Sequence, residues 1–122
     1  MSETAWQLVH TYYDILQEGT ASFDAEGLRA ILAVDLIFEG PIAGHRVGAE
    51  GFIKGVSGFA ETMESLNMLE QLHAGDQAAA LYEAEMPGGT VRFAEFFQVA
   101  DSKIKQLRLL YDANQYRTQG GR

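Results

Sequence analysis

Apolar residues follow a helical period in the first half of the chain. Between Thr4 and Glu18, two apolar stripes recur every three or four residues, which predicts a helix with a broad apolar face. A shorter helix is predicted from Asp24, a good N-cap, through Leu32, and a third helix from Ala49 to Met63. So broad an apolar face is typical of a helix that lies across a sheet.

The strand period begins with a short segment and dominates the second half. A strand is predicted from Asp35 to Glu39, where Gly40-Pro41 ends it because proline cannot donate to a sheet ladder. Residues 42–48 are expected to form a loop with room for a brief strand. Four further predicted strands, separated by turn sequences, are Asn67–His73, Gln77–Met86, Thr90–Ala100 and Lys103–Tyr111. Four consecutive strands with tight turns predict an antiparallel meander, and the polar tail from Ala113 is expected to fray.

The order of these elements predicts one α+β domain. With 122 residues the chain is long enough for a core of its own, and it is expected to form a single domain over residues 1–122. Helices segregated to one face of a curved sheet would cover its concave side. A covered concave sheet encloses a cavity, lined by inward strand positions and by the first helix.

Glu95 interrupts the apolar face of the strand from Thr90 to Ala100. In Val91–Val99 the odd positions read Val, Phe, Glu, Phe and Val, and strand alternation places all five on one face. A carboxylate out of water is costly unless it is paired or protonated, so Glu95 is expected to be protonated near neutral pH. Residues placed in this way often belong to a functional site. The alternative is a structural role at a sheet edge or in a pair with a basic residue such as Arg108.

The same parity predicts the lining of the cavity. Small Ala80 and Ala84 opposite large aromatic residues leave room for a small hydrophobic molecule. The candidate ligand-binding residues are Phe38, Tyr82, Phe93, Phe97, Leu109 and Tyr111. Only one of Tyr12 and Tyr13 is expected to point squarely into the cavity, because adjacent helix residues lie about 100° apart. The alternative is a dry core that Trp6 and the phenylalanines fill.

The opposite face of the sheet is too apolar for a solvent face. It carries Leu81, Phe96 and Leu110 by strand parity. An exposed apolar face of this kind is typical of a contact between protein copies. We therefore expect a homodimer.

Composition excludes several classes of function. The net charge of −8 argues against a nucleic-acid partner, because phosphate binding needs a clustered basic face. The chain has no cysteine, which excludes thiol catalysis and thiolate metal sites. Its three histidines lack the short spacing of a metal site, and no metal or other cofactor is expected. Without a leader-like N-terminus or an apolar run of about 20 residues, we expect a cytoplasmic protein with no membrane partner.

Several motifs, in order and at their spacing, resemble the nuclear transport factor 2-like superfamily. They are Leu-Val-His-Thr-Tyr-Tyr-Asp-Ile-Leu, Leu-Ile-Phe-Glu-Gly-Pro, Gly-Ala-Glu-Gly-Phe-Ile, Glu-Phe-Phe-Gln-Val-Ala-Asp-Ser-Lys-Ile and Leu-Arg-Leu-Leu-Tyr-Asp. This superfamily includes ketosteroid isomerases and polyketide cyclases of the SnoaL type. The resemblance, over an ordered core of about residues 4–116, implies a cystatin-like fold. Such a fold has a cone-shaped, strongly curved, mostly antiparallel sheet and three N-terminal helices over its concave face.

The resemblance to ketosteroid isomerases also implies a site. That family forms an oxyanion hole from a helix tyrosine and a protonated acid, and Tyr12 and Glu95 stand at the corresponding places. The place of the proton-moving base is occupied by Gly40, which cannot accept a proton. Asp112 and His45 are therefore further candidate catalytic residues. The chain resembles an isomerase or cyclase for an enolisable substrate, and the alternative is a non-catalytic binding or dimeric interaction module of the same fold.

Overall fold

The fold consists of four helices and one six-stranded sheet within the described residues, which are 2–17 and 23–121 of a computed structural model. The helices are α1 (Ser2–Gln17), α2 (Ala25–Ile31), α3 (Ala49–Thr62) and α4 (Ala113–Thr118). The strands are β1 (Leu32–Gly40), β2 (Gly44–Val47), β3 (Ser65–Ala74), β4 (Gln77–Met86), β5 (Gly89–Ala100) and β6 (Lys103–Leu110). The predicted end of the first helix at Glu18 lies outside the described residues. None of the described helices is long and apolar enough to cross a membrane.

The sheet has the strand order β2-β1-β6-β5-β4-β3. Strands β3 to β6 form the predicted antiparallel meander, and β2 pairs antiparallel with β1. The turn between β5 and β6 places Asp101 and Ser102 at positive φ, as a tight two-residue hairpin turn requires. The α+β class and the curved, mostly antiparallel sheet are confirmed.

Strand β1 is longer than predicted and pairs in a way that its own sequence does not indicate. It starts at Leu32, which was expected to end the preceding helix, and it runs parallel to β6 with Leu32 opposite Ile104. This partner follows β1 by about 70 residues, so local periodicity could not predict the pair. Leu36 on β1 is buried and Phe38 is half-buried, so both side chains lie on the inner face of the sheet.

The core lies between the concave face of the sheet and the helices. All odd positions of β5 from Val91 to Val99 are buried, in agreement with the predicted alternation. On α1 both predicted stripes face inward, and their buried members are Val9, Tyr12, Tyr13, Ile15 and Leu16. On the outer face of the sheet, Phe96 and Leu110 are 48% and 61% exposed. The homodimer expected from this face stays a prediction.

The C-terminal tail forms α4 and does not fray, so that prediction was wrong. The Asp112 carboxylate caps the helix by accepting a hydrogen bond from the backbone N–H of Gln115 at 2.9 Å. Tyr116 is only 4% exposed and packs edge-on against the ring of Phe93 at 6.0 Å. Beyond the helix, the carbonyl of Gln119 accepts a hydrogen bond from the N–H of Gly88 at 2.9 Å. One buried aromatic side chain thus offsets the polar composition on which the prediction rested.

Replacement of Tyr116 by alanine should therefore weaken the whole domain. We expect Tyr116→Ala to lower the free energy of unfolding by about 3 kcal/mol, because it removes a buried ring that the surroundings cannot fully replace. Urea unfolding followed by circular dichroism measures this change. Asn114→Ala, an exposed position on the same helix, is the matched control. A loss from Tyr116→Ala no larger than that of the control would contradict the docking of α4.

Candidate functional site

Glu95 lies in the middle of the sheet with its side chain completely enclosed. Its neighbours across the ladders are Ala80 on β4 and Leu109 on β6, and the residue is only 1% exposed. Arg108 instead forms an ion pair with Glu39, with Nε and Oε1 3.3 Å apart. Glu95 therefore lies away from the sheet edge and does not pair with Arg108, so neither structural alternative describes it.

Three tyrosines surround the carboxyl group of Glu95. The Tyr13 hydroxyl donates to Oε1 at 2.5 Å, and the Tyr12 hydroxyl donates to Oε2 at 3.2 Å. Tyr82, from the neighbouring strand β4, also hydrogen-bonds this carboxyl. Among the described residues, no basic side chain forms an ion pair with Glu95. The carboxyl is thus held by neutral donors and not by a positive charge.

This environment brings the ionisation of Glu95 close to neutral pH. Burial raises the pKa of Glu95 to about 7, and the hydrogen bonds from the three tyrosines oppose part of that rise. Burial, together with the nearby carboxyl, raises the pKa of each of Tyr12, Tyr13 and Tyr82 well above its usual value. The site therefore combines one group that changes charge near pH 7 with hydroxyls that stay protonated.

A cavity of about 440 Å³ adjoins this cluster. Glu95, Tyr12 and Tyr82 contribute to its wall, whereas Tyr13 does not. Of the two adjacent tyrosines only Tyr12 faces the cavity, as expected, but the hydroxyls of both reach Glu95. That convergence was not predicted, because the angle between two helix positions does not limit where two long side chains end.

Most of the predicted ligand-binding residues also contribute to the cavity wall. These are Phe38, Tyr82, Phe93, Leu109 and Tyr111. Phe97 does not line the cavity; it packs edge-on against the ring of Tyr12 at 5.6 Å. The role of these residues in binding stays a prediction.

Helix α3 supplies a part of the wall that the sequence interpretation missed. Phe52, Val56 and Phe59 face the cavity, and Gly51 and Gly55 lie beside them. A Cβ added at either glycine would meet nothing within 4 Å. These glycines are unfavourable for the helix but leave space at the cavity. The spacing of Phe52, Val56 and Phe59 at intervals of four and three residues was the available signal.

The candidate bases of the sequence interpretation do not reach the cavity wall. The Asp112 carboxylate is used to cap α4, and His45 is an exposed residue of β2 opposite Glu39. A Cβ built at Gly40 would lie 3.1 Å from the far end of the Phe38 ring, so a larger side chain at this position would require a small shift of that ring. Within the described part of the chain, Glu95 is the one carboxylate on the cavity wall.

A metal ion has no evident site in the described part of the chain. No group of three or more His, Asp and Glu side chains there is arranged to hold a metal. What the arrangement can do is donate hydrogen bonds from Tyr12 and neutral Glu95 to a small molecule in an apolar surrounding. Such donors stabilise negative charge that develops on an oxygen atom.

Comparison with known proteins places the chain in a family. A family model described as a SnoaL-like domain matches residues 9–107. A steroid delta-isomerase from Pseudomonas aeruginosa is 16% identical, with a TM-score of 0.78 over 96% of this chain and 86% of that chain. A nuclear transport factor 2-like protein of unknown function from Cytophaga hutchinsonii is 17% identical, with a TM-score of 0.74 over 93% and 94% of the two chains.

A protein designed de novo with a curved β-sheet is equally similar. It is 18% identical, with a TM-score of 0.79 over 98% of this chain and 93% of that chain. No curated protein sequence matches the chain. Likeness to an isomerase and to a designed protein alike shows the fold and leaves the reaction open. The matched family model and these neighbours confirm the resemblance stated from the sequence: the chain belongs to the SnoaL-like domain family and has a nuclear transport factor 2-like fold.

Proposed function

We propose that the protein binds a small apolar carbonyl compound in the cavity and polarises its oxygen through Tyr12 and protonated Glu95. The observation that supports this most strongly is a buried carboxyl, bonded only to hydroxyls, on the wall of a largely apolar cavity. Prearranged donors in a dry site favour the charge that an enolate oxygen develops. The reaction class is isomerisation or cyclisation of an enolisable substrate.

The protonation state of Glu95 decides what the cavity accepts. When Glu95 is neutral, Tyr13 donates to Oε1 while the acid proton resides on Oε2, 3.2 Å from the Tyr12 hydroxyl. Both this proton and the Tyr12 hydrogen can then turn towards a ligand oxygen. When Glu95 is ionised, all neighbouring hydroxyls are drawn to the carboxylate, and the wall carries a negative charge. A carbonyl oxygen therefore binds the neutral form.

A second candidate function is binding without catalysis. It is favoured by the position of the remaining proton acceptors, because Asp112 caps α4 and Gly40 has no side chain to accept a proton. Polarisation alone activates a carbonyl, but enolisation also needs a group that removes the proton from carbon. In this second function Tyr12 and Glu95 orient a ligand, and no turnover follows.

The raised pKa of Glu95 makes stability depend on pH. A carboxyl whose pKa rises from 4.5 to about 7 on folding does not reduce stability below pH 4.5, where the folded and unfolded states are both protonated. Between pH 4.5 and about 7 the unfolded state releases its proton first, so the free energy of unfolding falls. Above about pH 7 this loss of stability is constant. We expect wild type to lose roughly 3 kcal/mol relative to Glu95→Gln between about pH 4 and pH 8.

Urea unfolding of both proteins across this pH range measures the loss. Glutamine has the shape of the neutral acid and cannot ionise, so the difference between the two curves isolates Glu95. Glu70→Gln, at an exposed position of β3, is the matched control. A constant difference between wild type and Glu95→Gln across the whole range would show that Glu95 titrates at its usual pH.

Acetophenone is a suitable probe for the proposed site, because it is an apolar ketone with exchangeable methyl protons. Below pH 7 we expect Tyr12→Phe to weaken its binding about fivefold, the usual worth of one hydrogen bond. Glu95→Gln keeps an amide N–H donor and cannot ionise, so it should remove the pH dependence of binding. In wild type the affinity should fall as the pH rises through about 7, the pKa of Glu95. Isothermal titration calorimetry measures both effects. An affinity for acetophenone that is unchanged by both substitutions and by pH would exclude the proposed donors.

Tyr13→Phe provides a control of opposite sign. The Tyr13 hydrogen bond lowers the pKa of Glu95, and Tyr13 does not line the cavity. Its removal should raise that pKa, so acetophenone binding should persist to higher pH than in wild type. Exchange of the methyl protons in deuterated water, followed by NMR, then separates the two functions. Protein-dependent exchange supports catalysis, and binding without exchange supports the binding module.

A further inference from the structure

We propose that Arg46 binds a carboxylate of the ligand at the mouth of the cavity, which makes the ligand an amphiphilic keto acid. This inference rests on the proposed function, since it assumes that the carbonyl group of the ligand meets Tyr12 and Glu95. It adds a second polar contact at the other end of the ligand.

Arg46 is a charged residue at an inward position of the edge strand β2. Its partner across the ladder is Phe38 on β1, which in turn lies opposite Leu107 on β6. Residues opposite each other share a face of the sheet, so Arg46 belongs to the concave face together with two apolar side chains. Arg46 and Phe38 both line the cavity. Arg46 therefore breaks the apolar pattern of this face in the same way as Glu95.

The guanidinium of Arg46 has hydrogen-bond donors that remain available for a ligand. Its Nε donates to the carbonyl oxygen of Ala43 at 2.9 Å, which holds the head group beside the turn before β2. Arg29, Arg92 and Arg108 each form an ion pair with a carboxylate, whereas no carboxylate among the described residues pairs with Arg46. The two terminal nitrogens are thus available for a planar, two-pronged contact with a carboxylate. Arg46 is exposed, so this contact would lie where the cavity opens to solvent.

The separation of Arg46 and Glu95 fits a short bifunctional molecule. Three strand spacings separate β2 from β5, or about 14 Å along a flat sheet and less along a curved one. Both residues lie on the concave face, so their side chains extend inward and shorten the gap that a ligand must bridge. A few methylene groups between a ketone and a carboxylate span such a gap. The wall between the two ends, which includes Phe38 and Leu109, is apolar and suits these methylenes.

The charges on the cavity wall agree with a single anionic group. Below the pKa of Glu95 the carboxyl is neutral, and Arg46 is then the one charged side chain on the described cavity wall. The protein as a whole carries a net charge of −8, so anions are not attracted to it in general. A preference for an anionic ligand would therefore have to come from the local contact with Arg46.

A series of linear keto acids, from levulinate to longer homologues with the same methyl ketone end, tests the inference against their methyl esters. Each ester keeps the ketone and removes the charge. Calorimetry below the pKa of Glu95 should show that the best acid binds roughly fivefold more tightly than its ester. Added salt should reduce this preference, because the contact lies near solvent. Arg46→Gln should abolish the preference, because it weakens binding of the acid more than binding of the ester.

Arg92→Gln is the matched control, since it removes the same charge from an exposed pair with Glu83 that lies outside the cavity wall. Equal affinity for acid and ester in wild type, or an equal loss of both in Arg46→Gln, would overturn the role of Arg46. Tyr12→Phe keeps the two proposals apart. Acid preference that depends on Arg46, together with acid and ester affinities that Tyr12→Phe leaves unchanged, would sustain this inference and refute the carbonyl site. Absence of binding by every acid and ester would refute both.

Discussion

The hydrogen bonds between the Glu95 carboxyl and its tyrosines are the interaction on which the rest of the site depends. They connect α1 to the centre of the sheet, since Tyr12 and Tyr13 come from the helix and Glu95 from β5. Glu95 is the one buried charged residue among those described. Each neutral hydrogen bond contributes only about 1 kcal/mol, but an unsatisfied buried carboxyl would cost more than that. The helix must therefore lie where its tyrosines reach the carboxyl, which fixes the wall of the cavity beside them.

Local patterns predicted most of the fold because most of its strand pairings join strands that are consecutive along the chain. The meander joins strands that follow one another along the chain, so the turns and the alternation were sufficient to place Glu95 on the inner face. Contacts between distant segments produce no comparable pattern in the local sequence. The parallel pairing of β1 with β6 and the docking of Tyr116 beside Phe93 depend on partners far along the chain. For this reason the start of β1 and the structure of the tail were predicted incorrectly.

The same distinction applies to the candidate site. Glu95 could be identified because a carboxyl contradicts the alternation of its own strand. Tyr13 could not be identified as its partner, because the helix pattern fixes the directions in which side chains leave the helix but not the points that their hydroxyls reach. The inward position of Arg46 follows only from its register with Phe38, and the sequence of a four-residue strand does not reveal a register. Strand alternation is thus a sensitive guide to functional polar residues only where the strand itself can be recognised.

The position of Gly40 limits the chemistry more than it limits binding. An acid with a pKa of about 7 can donate a hydrogen bond to a carbonyl oxygen and, once ionised, can also accept a proton. Glu95 cannot act in both ways on one ligand at once, because the neutral form that holds the oxygen is not the form that accepts a proton. Because Glu95 is the one carboxylate on the described cavity wall, the proposed function favours a ligand whose own groups carry the proton, or one that is held and not turned over. In the proposed function, the presence of donors and the absence of a second carboxylate on the described cavity wall are thus the physical basis on which catalysis and binding can be distinguished.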